Sequence, residues 1–421
     1  MDRISLLSDE LTSLLSKRWR YLWNHVPKLE YHDPSGDCEH WRASRFVDKF
    51  LLFHEAPVLE TLHLKISRNC PPIDIETWIR IAISRGVRDL KISRYFHSSG
   101  TICPVLDPVP FPRSLYTCET LVTLNLEADF TVNNVPLTIC FRSLKKLFLL
   151  LVKLSSGDPV HRTLSGCPVL EDLRLVRGNN DHVKSFTIAV PSLQRLIVKD
   201  VGVQVPGGDD VELVIKAPSL KSLLIFSRCS GFGSLVKMPD LVKAEIMLYH
   251  GDSYKKFMGC LTSTKQLFLC LRPPMDSCPL GVFNQLVSLN LCACSLVWCR
   301  LILNHTPKLR VLGFGLKQAK LFASHNFQEC CNSSVDVQNQ WEQPSSVPQC
   351  LISSLETVSW IDYKGTQAEK KMVMYLLENS GQLKTMAIRS LKSLNSEEKL
   401  KMLQELSSTQ RSSTKCRLSF T

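Results

Sequence analysis

A six-residue phrase, Leu-x-x-Leu-x-Leu, recurs along almost the whole chain and constrains the fold more than any other feature. Strict copies begin at Leu59, Leu121, Leu144, Leu170 and Leu286, and looser copies begin at Leu193, Leu220, Leu241, Thr264, Leu309, Leu355 and Leu383. One such unit is too short to bury its own apolar side chains, so neighbouring copies must stack on each other.

The spacing of the copies indicates the architecture. Between Leu121 and Leu309, successive copies lie 21 to 27 residues apart, and leucine-rich repeats run about 20–29 residues. The next step, from Leu309 to Leu355, is 46 residues, so one repeat is degenerate there or is displaced by an insertion. We therefore predict the α/β fold class: a leucine-rich-repeat solenoid, with a curved parallel sheet, helical or irregular return segments and one long concave surface.

The strand phase follows from the alternation of side chains along a β-strand. In the strict copy Leu170-Glu-Asp-Leu-Arg-Leu175, Leu173 and Leu175 are predicted to point into the core. Arg174 lies between them and is predicted to face the concave surface.

Composition narrows the class of protein. The chain has 421 residues and a formal net charge of +12, but its Lys and Arg residues are spread over the repeats instead of forming stripes with interleaved aromatic residues. We interpret this charge as a solvated surface, with an acidic partner surface as the alternative. Nucleic acid is not an expected partner. No apolar run approaches the roughly 20 residues that span a bilayer, so no membrane partner is expected.

The 17 cysteines follow no regular pairing pattern and no N-terminal secretion signal precedes them, which favours free thiols in the nucleus or cytoplasm. Cys292, Cys294, Cys299 and His305 invite interpretation as a zinc site. Cys294, however, occupies the Asn/Cys position of a repeat, which accounts for it as a core residue. No catalytic motif stands out. We expect a protein that is not an enzyme and that has no catalytic residue, cofactor or metal.

Five segments are predicted along the chain. They are a short helical N-terminus at 1–23, a helical connector at 24–55, the repeats at 56–316, a polar loop insertion at 317–346 and an α+β cap at 347–421. In the connector, Phe46, Phe50 and Phe53 are predicted to share one helical face.

The two ends of the chain carry a resemblance. Met1-Asp-Arg-Ile-Ser, Asp9-Glu-Leu11 and Leu15-Ser-Lys-Arg-Trp-Arg-Tyr-Leu-Trp23 resemble the opening and the end of a plant F-box, although the central helices have no counterpart between Leu11 and Leu14. Residues 347–408 are similar to the FBD domain that accompanies F-boxes in plants, through phrases such as Ser353-Ser-Leu-Glu-Thr-Val-Ser-Trp360. The chain thus resembles the plant F-box/FBD/LRR-repeat family, with an internally shortened F-box and an FBD-like cap.

This resemblance implies a function. F-box proteins of this kind are the substrate-recognition subunits of Skp–cullin–F-box ubiquitin ligases, with a Skp-type adaptor and a cullin complex as partners and a protein target on the repeats. The shortened F-box implies weaker adaptor binding. The alternative is a repeat-based protein-binding module that has lost its coupling to the ligase.

Two sets of candidate binding residues follow. Aromatic and Arg side chains are favoured at interface hot spots, so we predict a concave partner-binding track of Phe148, Arg174, Arg195, Phe226 and Phe268; the alternative is that neighbouring side chains or loops cover some of them. The resemblance further implies adaptor binding through Leu6, Leu7 and Leu11.

Overall fold

A computed structural model describes most of the chain. The described residues are 25–33, 41–95, 108–133, 135–154, 157–177, 183, 185–200, 212–227, 234–248, 257–271, 281–292, 296–315, 341–391 and 393–421. The F-box-like segment at 1–23, with Leu6, Leu7 and Leu11, lies outside them, as does most of the predicted polar insertion.

The chain divides into two compact units, Met1–Ala217 and Pro218–Thr421. The strands of the first unit are β1 (Lys28–His32), β2 (Thr61–Ser67), β3 (Asp89–Tyr95), β4 (Val109–Pro110), β5 (Thr123–Glu127), β6 (Phe130–Val132), β7 (Lys146–Leu150), β8 (Lys153–Leu154), β9 (Asp172–Arg177), β10 (Ser185–Ala189), β11 (Arg195–Asp200) and β12 (Glu212–Lys216). Its main ladder is parallel and runs β1-β2-β3-β5-β7-β9-β11. Shorter parallel ladders join β4, β6 and β8, and β10 with β12.

The leucine phrase determines this ladder. Equivalent leucines pair in register from strand to strand and are at most 1% exposed: Leu62, Leu90, Leu124, Leu147, Leu173 and Leu196. Leu175 is likewise 1% exposed. The predicted phase, with Leu173 and Leu175 in the core, is confirmed.

The second unit repeats the arrangement. Its strands are β13 (Ser222–Ser227), β14 (Ser234–Leu235), β15 (Lys243–Leu248), β16 (Gln266–Leu271), β17 (Ser288–Leu291), β18 (Val311–Phe314), β19 (Thr357–Tyr363), β20 (Thr385–Ser390) and β21 (Arg417–Phe420). Apart from β14 they form one parallel ladder in chain order. The prediction of an α/β protein with a parallel sheet is confirmed.

The 46-residue step has a structural explanation. Leu312 of β18 pairs directly with Val358 of β19, so β19 is the next strand of the ladder after β18. The extra residues between Leu309 and Leu355 are therefore an insertion in the repeat spacing. The strands that follow, β19 to β21, continue the same ladder. The C-terminal segment therefore extends the sheet of the second unit.

The helices lie between these strands in the chain. Those of the first unit are α1 (Trp41–Phe53), α2 (Pro72–Ser84) and α3 (Gly157–Ser165), and those of the second unit are α4 (Val297–Leu303), α5 (Gln349–Ser353), α6 (Gln367–Asn379) and α7 (Ser396–Ser407). Capping boxes begin α6 and α7, because the side chains of Thr366 and Asn395 accept hydrogen bonds from the third helical N–H of each helix. No helix within the described ranges is long and apolar enough to cross a membrane.

The segment at 24–55 differs from its prediction in two ways. It contributes the strand β1 as well as the helix α1, so it is more than a helical connector. The three phenylalanines predicted to share one helical face also do not form the buried side of α1: Phe50 is buried, but Phe46 and Phe53 are 38% and 48% exposed. The buried stripe instead consists of Ala43, Val47, Phe50 and Leu51, and Phe46 stacks on Tyr31 of β1 with ring centroids 4.7 Å apart.

Candidate protein-interaction surface

The main ladder of the first unit has one side packed with leucines and an opposite side that we call the first-unit face. Strand register aligns the side chains of this face in rows. One row contains Thr61, Asp89, Thr123, Lys146, Asp172 and Arg195, and the next contains His63, Lys91, Asn125, Phe148, Arg174 and Ile197. Three members of the predicted track, Phe148, Arg174 and Arg195, therefore lie on adjacent strands of one face.

Phe148 and Arg174 are register partners. The Cζ atom of Arg174 lies 4.4 Å from the centroid of the Phe148 ring, which is the geometry of a cation–π contact. The Arg174 side chain remains 42% exposed. The pair thus presents a guanidinium already ordered by an aromatic ring.

Asp172 lies between the two arginines of the track. Arg195 donates from Nε to Asp172 Oδ2 at 3.0 Å, while Arg174 Nε lies 3.6 Å from Asp172 Oδ1, an ion-pair distance without a hydrogen bond. The Asp172 side chain is only 6% exposed and that of Arg195 is 47% exposed. The buried carboxylate of Asp172 therefore lies within ion-pair distance of two partly exposed arginines.

Lys146 adds a third cation to this group. It pairs in register with Asp172 from the neighbouring strand, and its side chain is exposed. We call Lys146, Phe148, Asp172, Arg174 and Arg195 the basic cluster. The predicted track omits Lys146, because it was limited to aromatic and Arg side chains, the types favoured at interface hot spots.

The far end of the first-unit face has a different electrostatic arrangement. His63 Nε2 lies 3.1 Å from Asp89 Oδ1, and its Nδ1 lies 3.4 Å from Glu30 Oε1. Lys28 Nζ lies 2.8 Å from the same Glu30 oxygen, and this contact holds the pKa of the Glu30 carboxyl below its usual range. The two carboxylates at this end, Glu30 and Asp89, therefore each have a Lys or His neighbour.

The second unit contains the remaining two members of the predicted track. Phe268 is partly exposed, but Phe226 is only 2% exposed. Phe226 pairs in register with Met247, which pairs with Cys270, and these two residues are 1% and 3% exposed. The expectation that Phe226 offers its ring to a partner is wrong, because it belongs to a buried apolar row; the alternative, that part of the track is covered, holds for this residue.

Comparison with known proteins agrees with both the repeats and the C-terminal segment. The sequence profile of the FBD family matches residues 343–388. A profile described as the LRR repeats of FBD-associated F-box protein At5g56370 matches residues 75–257.

Similarity to individual proteins extends over the whole chain. FBD-associated F-box protein At5g56440 of Arabidopsis thaliana is 69% identical over 440 aligned positions that cover all of both chains. FBD-associated F-box protein At5g56370 of the same plant is 37% identical over all of both chains. The F-box/FBD/LRR-repeat protein At5g56420, also from Arabidopsis thaliana, is 37% identical and covers all of this chain and 99% of its own. The chain therefore belongs to the family of FBD-associated F-box proteins with leucine-rich repeats.

Proposed function

We propose that this protein is the substrate-recognition subunit of a Skp–cullin–F-box ubiquitin ligase. The observation that carries the proposal is the full-length similarity to F-box/FBD/LRR relatives, at 69% identity in one case. In this role the chain brings a protein target to the ligase and has no catalytic residue of its own. It would act in the nucleus or cytoplasm.

The proposed target site is the exposed part of the repeats, which the fold supports. A parallel ladder holds Phe148, Arg174 and Arg195 on rigid strands, and rigid anchors lose little conformational entropy on binding. Phe268 provides a partly exposed aromatic ring on the second unit. The proposed adaptor site comprises Leu6, Leu7 and Leu11, which lie outside the described residues.

A second candidate function is a protein-binding module without ligase coupling. The alignment with the 69% identical relative has 440 positions and this chain has 421 residues, so at least 19 positions of that relative have no counterpart here. The sequence itself shows the shortening of the F-box-like segment between Leu11 and Leu14, on which this candidate rests. A shorter F-box offers the adaptor less apolar surface, and interface stability depends on a few well-packed anchors.

Affinity capture from plant tissue separates the two activities of the proposed receptor. The bait is the full chain or its Phe148→Ala, Arg174→Ala and Phe268→Ala triple variant, and captured proteins are identified by mass spectrometry. We expect both baits to recover the Skp-type adaptor equally. The triple variant should lose the target, because truncation of a hot-spot residue costs about 2 kcal/mol or more of binding free energy. Recovery of the same targets by the folded variant would contradict the assignment of the target site to these residues.

A further inference from the structure

We propose that the basic cluster recognises an acidic segment of the target protein, with a Glu or Asp side chain of that segment seated between Lys146, Arg174 and Arg195. This inference rests on the proposed function, because it specifies what kind of target the repeats take. Charge, donor geometry and the neighbouring aromatic ring support it.

The charge balance of the face supports an anionic ligand. Around the cluster, the outward positions of β5, β7, β9 and β11 place three cations, Lys146, Arg174 and Arg195, against two carboxylates, Glu127 and Asp172. Glu127 already accepts a hydrogen bond from Ser93 at 2.8 Å, and the buried Asp172 balances only one of the two arginines beside it. The excess positive charge lies at the solvent-facing side of the cluster.

The geometry leaves donors available for a carboxylate. A guanidinium has five N–H groups in a planar fork, and Arg195 uses Nε to reach Asp172. Because 47% of the Arg195 side chain is exposed, its Nη edge can meet a ligand in the bidentate manner that suits a carboxylate. Asp172 therefore acts as a positioning residue that holds the arginine fork before the ligand arrives.

Phe148 adds an apolar component. Its ring is partly exposed, and Arg174 lies over one face. When an acidic residue of the target binds the cations, the residues next to it in the target sequence lie close to Phe148. An aliphatic side chain among them can then contact the Phe148 ring. The preferred segment would thus alternate acidic and aliphatic residues.

Other occupants fit less well. Nucleic acid requires an extended basic stripe with several stacking aromatic residues, and the basic cluster has one ring. A second copy of this chain carries the same net charge of +12, which opposes association at a basic surface. A phosphorylated segment carries a larger charge than a carboxylate, and the test below separates these two occupants.

The test measures binding of fluorescein-labelled peptides to the full-length protein by fluorescence anisotropy. The probes share a repeating Glu-Leu sequence, in which Glu is kept, replaced by Gln or replaced by phosphoserine. The test protein carries Lys146→Gln and Arg174→Gln, which neutralises two cations and keeps the Arg195–Asp172 bond, so Asp172 is not left unpaired. A matched control carries Lys49→Gln and Arg80→Gln, two exposed cations on α1 and α2 of the same unit.

We expect the Glu peptide to bind about tenfold more tightly than the Gln peptide, and the cluster variant to lose about tenfold while the control stays within about twofold. Added salt should weaken the binding, because exposed charges are screened. Equal binding of the Glu and Gln peptides, or equal losses in the cluster and control variants, would overturn the proposal. Much tighter binding of the phosphoserine peptide would overturn the assignment to a carboxylate. Each of these outcomes is independent of adaptor binding, so this inference can fail while the ligase role stands.

Discussion

Arg85 donates a hydrogen bond from Nη1 to Nδ1 of His54 at 2.8 Å. The other ring nitrogen of His54 lies 2.9 Å from the carbonyl oxygen of Val26 and donates to it. Nδ1 can accept a hydrogen bond only while it carries no proton. In this arrangement His54 is therefore a neutral imidazole with its hydrogen on Nε2. Burial, followed by the repulsion of Arg85, lowers the pKa of His54. This histidine therefore links the residues before β1 to the end of α2 in its uncharged form.

Acidification should weaken this contact. Because the folded pKa of His54 is below its unfolded value of about 6.5, the unfolded chain binds the proton more readily in the interval between the two pKa values. Stability is thus highest above about pH 6.5 and falls as the pH drops towards the folded pKa. We expect the free energy of unfolding, measured by urea titration between about pH 5 and 7.5, to decline less steeply for His54→Gln than for the unmodified chain.

The exposed His161 of α3 provides the control for this experiment. His161→Gln should keep the pH dependence of the unmodified chain. Parallel curves for His54→Gln and the unmodified chain would show that His54 does not contribute through its protonation.

The strand phase predicts unequal costs for neighbouring substitutions. Leu173 is 1% exposed, so Leu173→Ala should reduce the free energy of unfolding by about 2–5 kcal/mol. The side chain of the adjacent Arg174 is 42% exposed. Arg174→Ala should therefore reduce the free energy of unfolding by only about 1 kcal/mol or less. Equal shifts in Tm for the two variants would be incompatible with the assigned phase.

Gly315 marks the connection that follows β18. Its φ of +91° is in the region that favours glycine, and an added Cβ would lie 2.5 Å from the carbonyl oxygen of Ile361. Gly315→Ala should therefore cost about 2 kcal/mol or more by strain and steric conflict. Gly259 has no neighbouring atom within 4 Å of an added Cβ, and Gly259→Ala should leave the urea midpoint almost unchanged. Similar midpoints for both variants would contradict the described contact with Ile361.

The repeat phrase predicted much of the fold because it reports two physical constraints at once. Alternation determines which side chains enter the core, and the spacing of copies determines which strands become neighbours. The strand β1 was missed because Lys28-Leu-Glu-Tyr-His lacks the phrase. A signal was present nonetheless: Leu29 and Tyr31 alternate with charged or polar residues, as do Leu62 and Leu64, their register partners on β2.

The candidate surface was less predictable than the core. Alternation correctly assigned Phe148 and Arg174 to one side of the sheet, and it assigned Phe226 to the same kind of position, but it carries no information about what covers a side chain. The contact of Asp172 with Arg195 depends on register between residues 23 positions apart. Such cross-strand pairs become visible only when the register is known.

The most direct test of the ligase assignment is a titration of purified Skp-type adaptor against this protein. The comparison protein is the same chain with a complete F-box inserted between Leu11 and Leu14. We expect saturable binding to both, with the present chain weaker by about tenfold or more, a deficit of about 1.4 kcal/mol, because a shorter F-box-like segment offers the adaptor less apolar surface. Equal affinities would show that the inserted part of the F-box is dispensable. Absence of saturable binding to the present chain would contradict the ligase-receptor function and favour a binding module without ligase coupling.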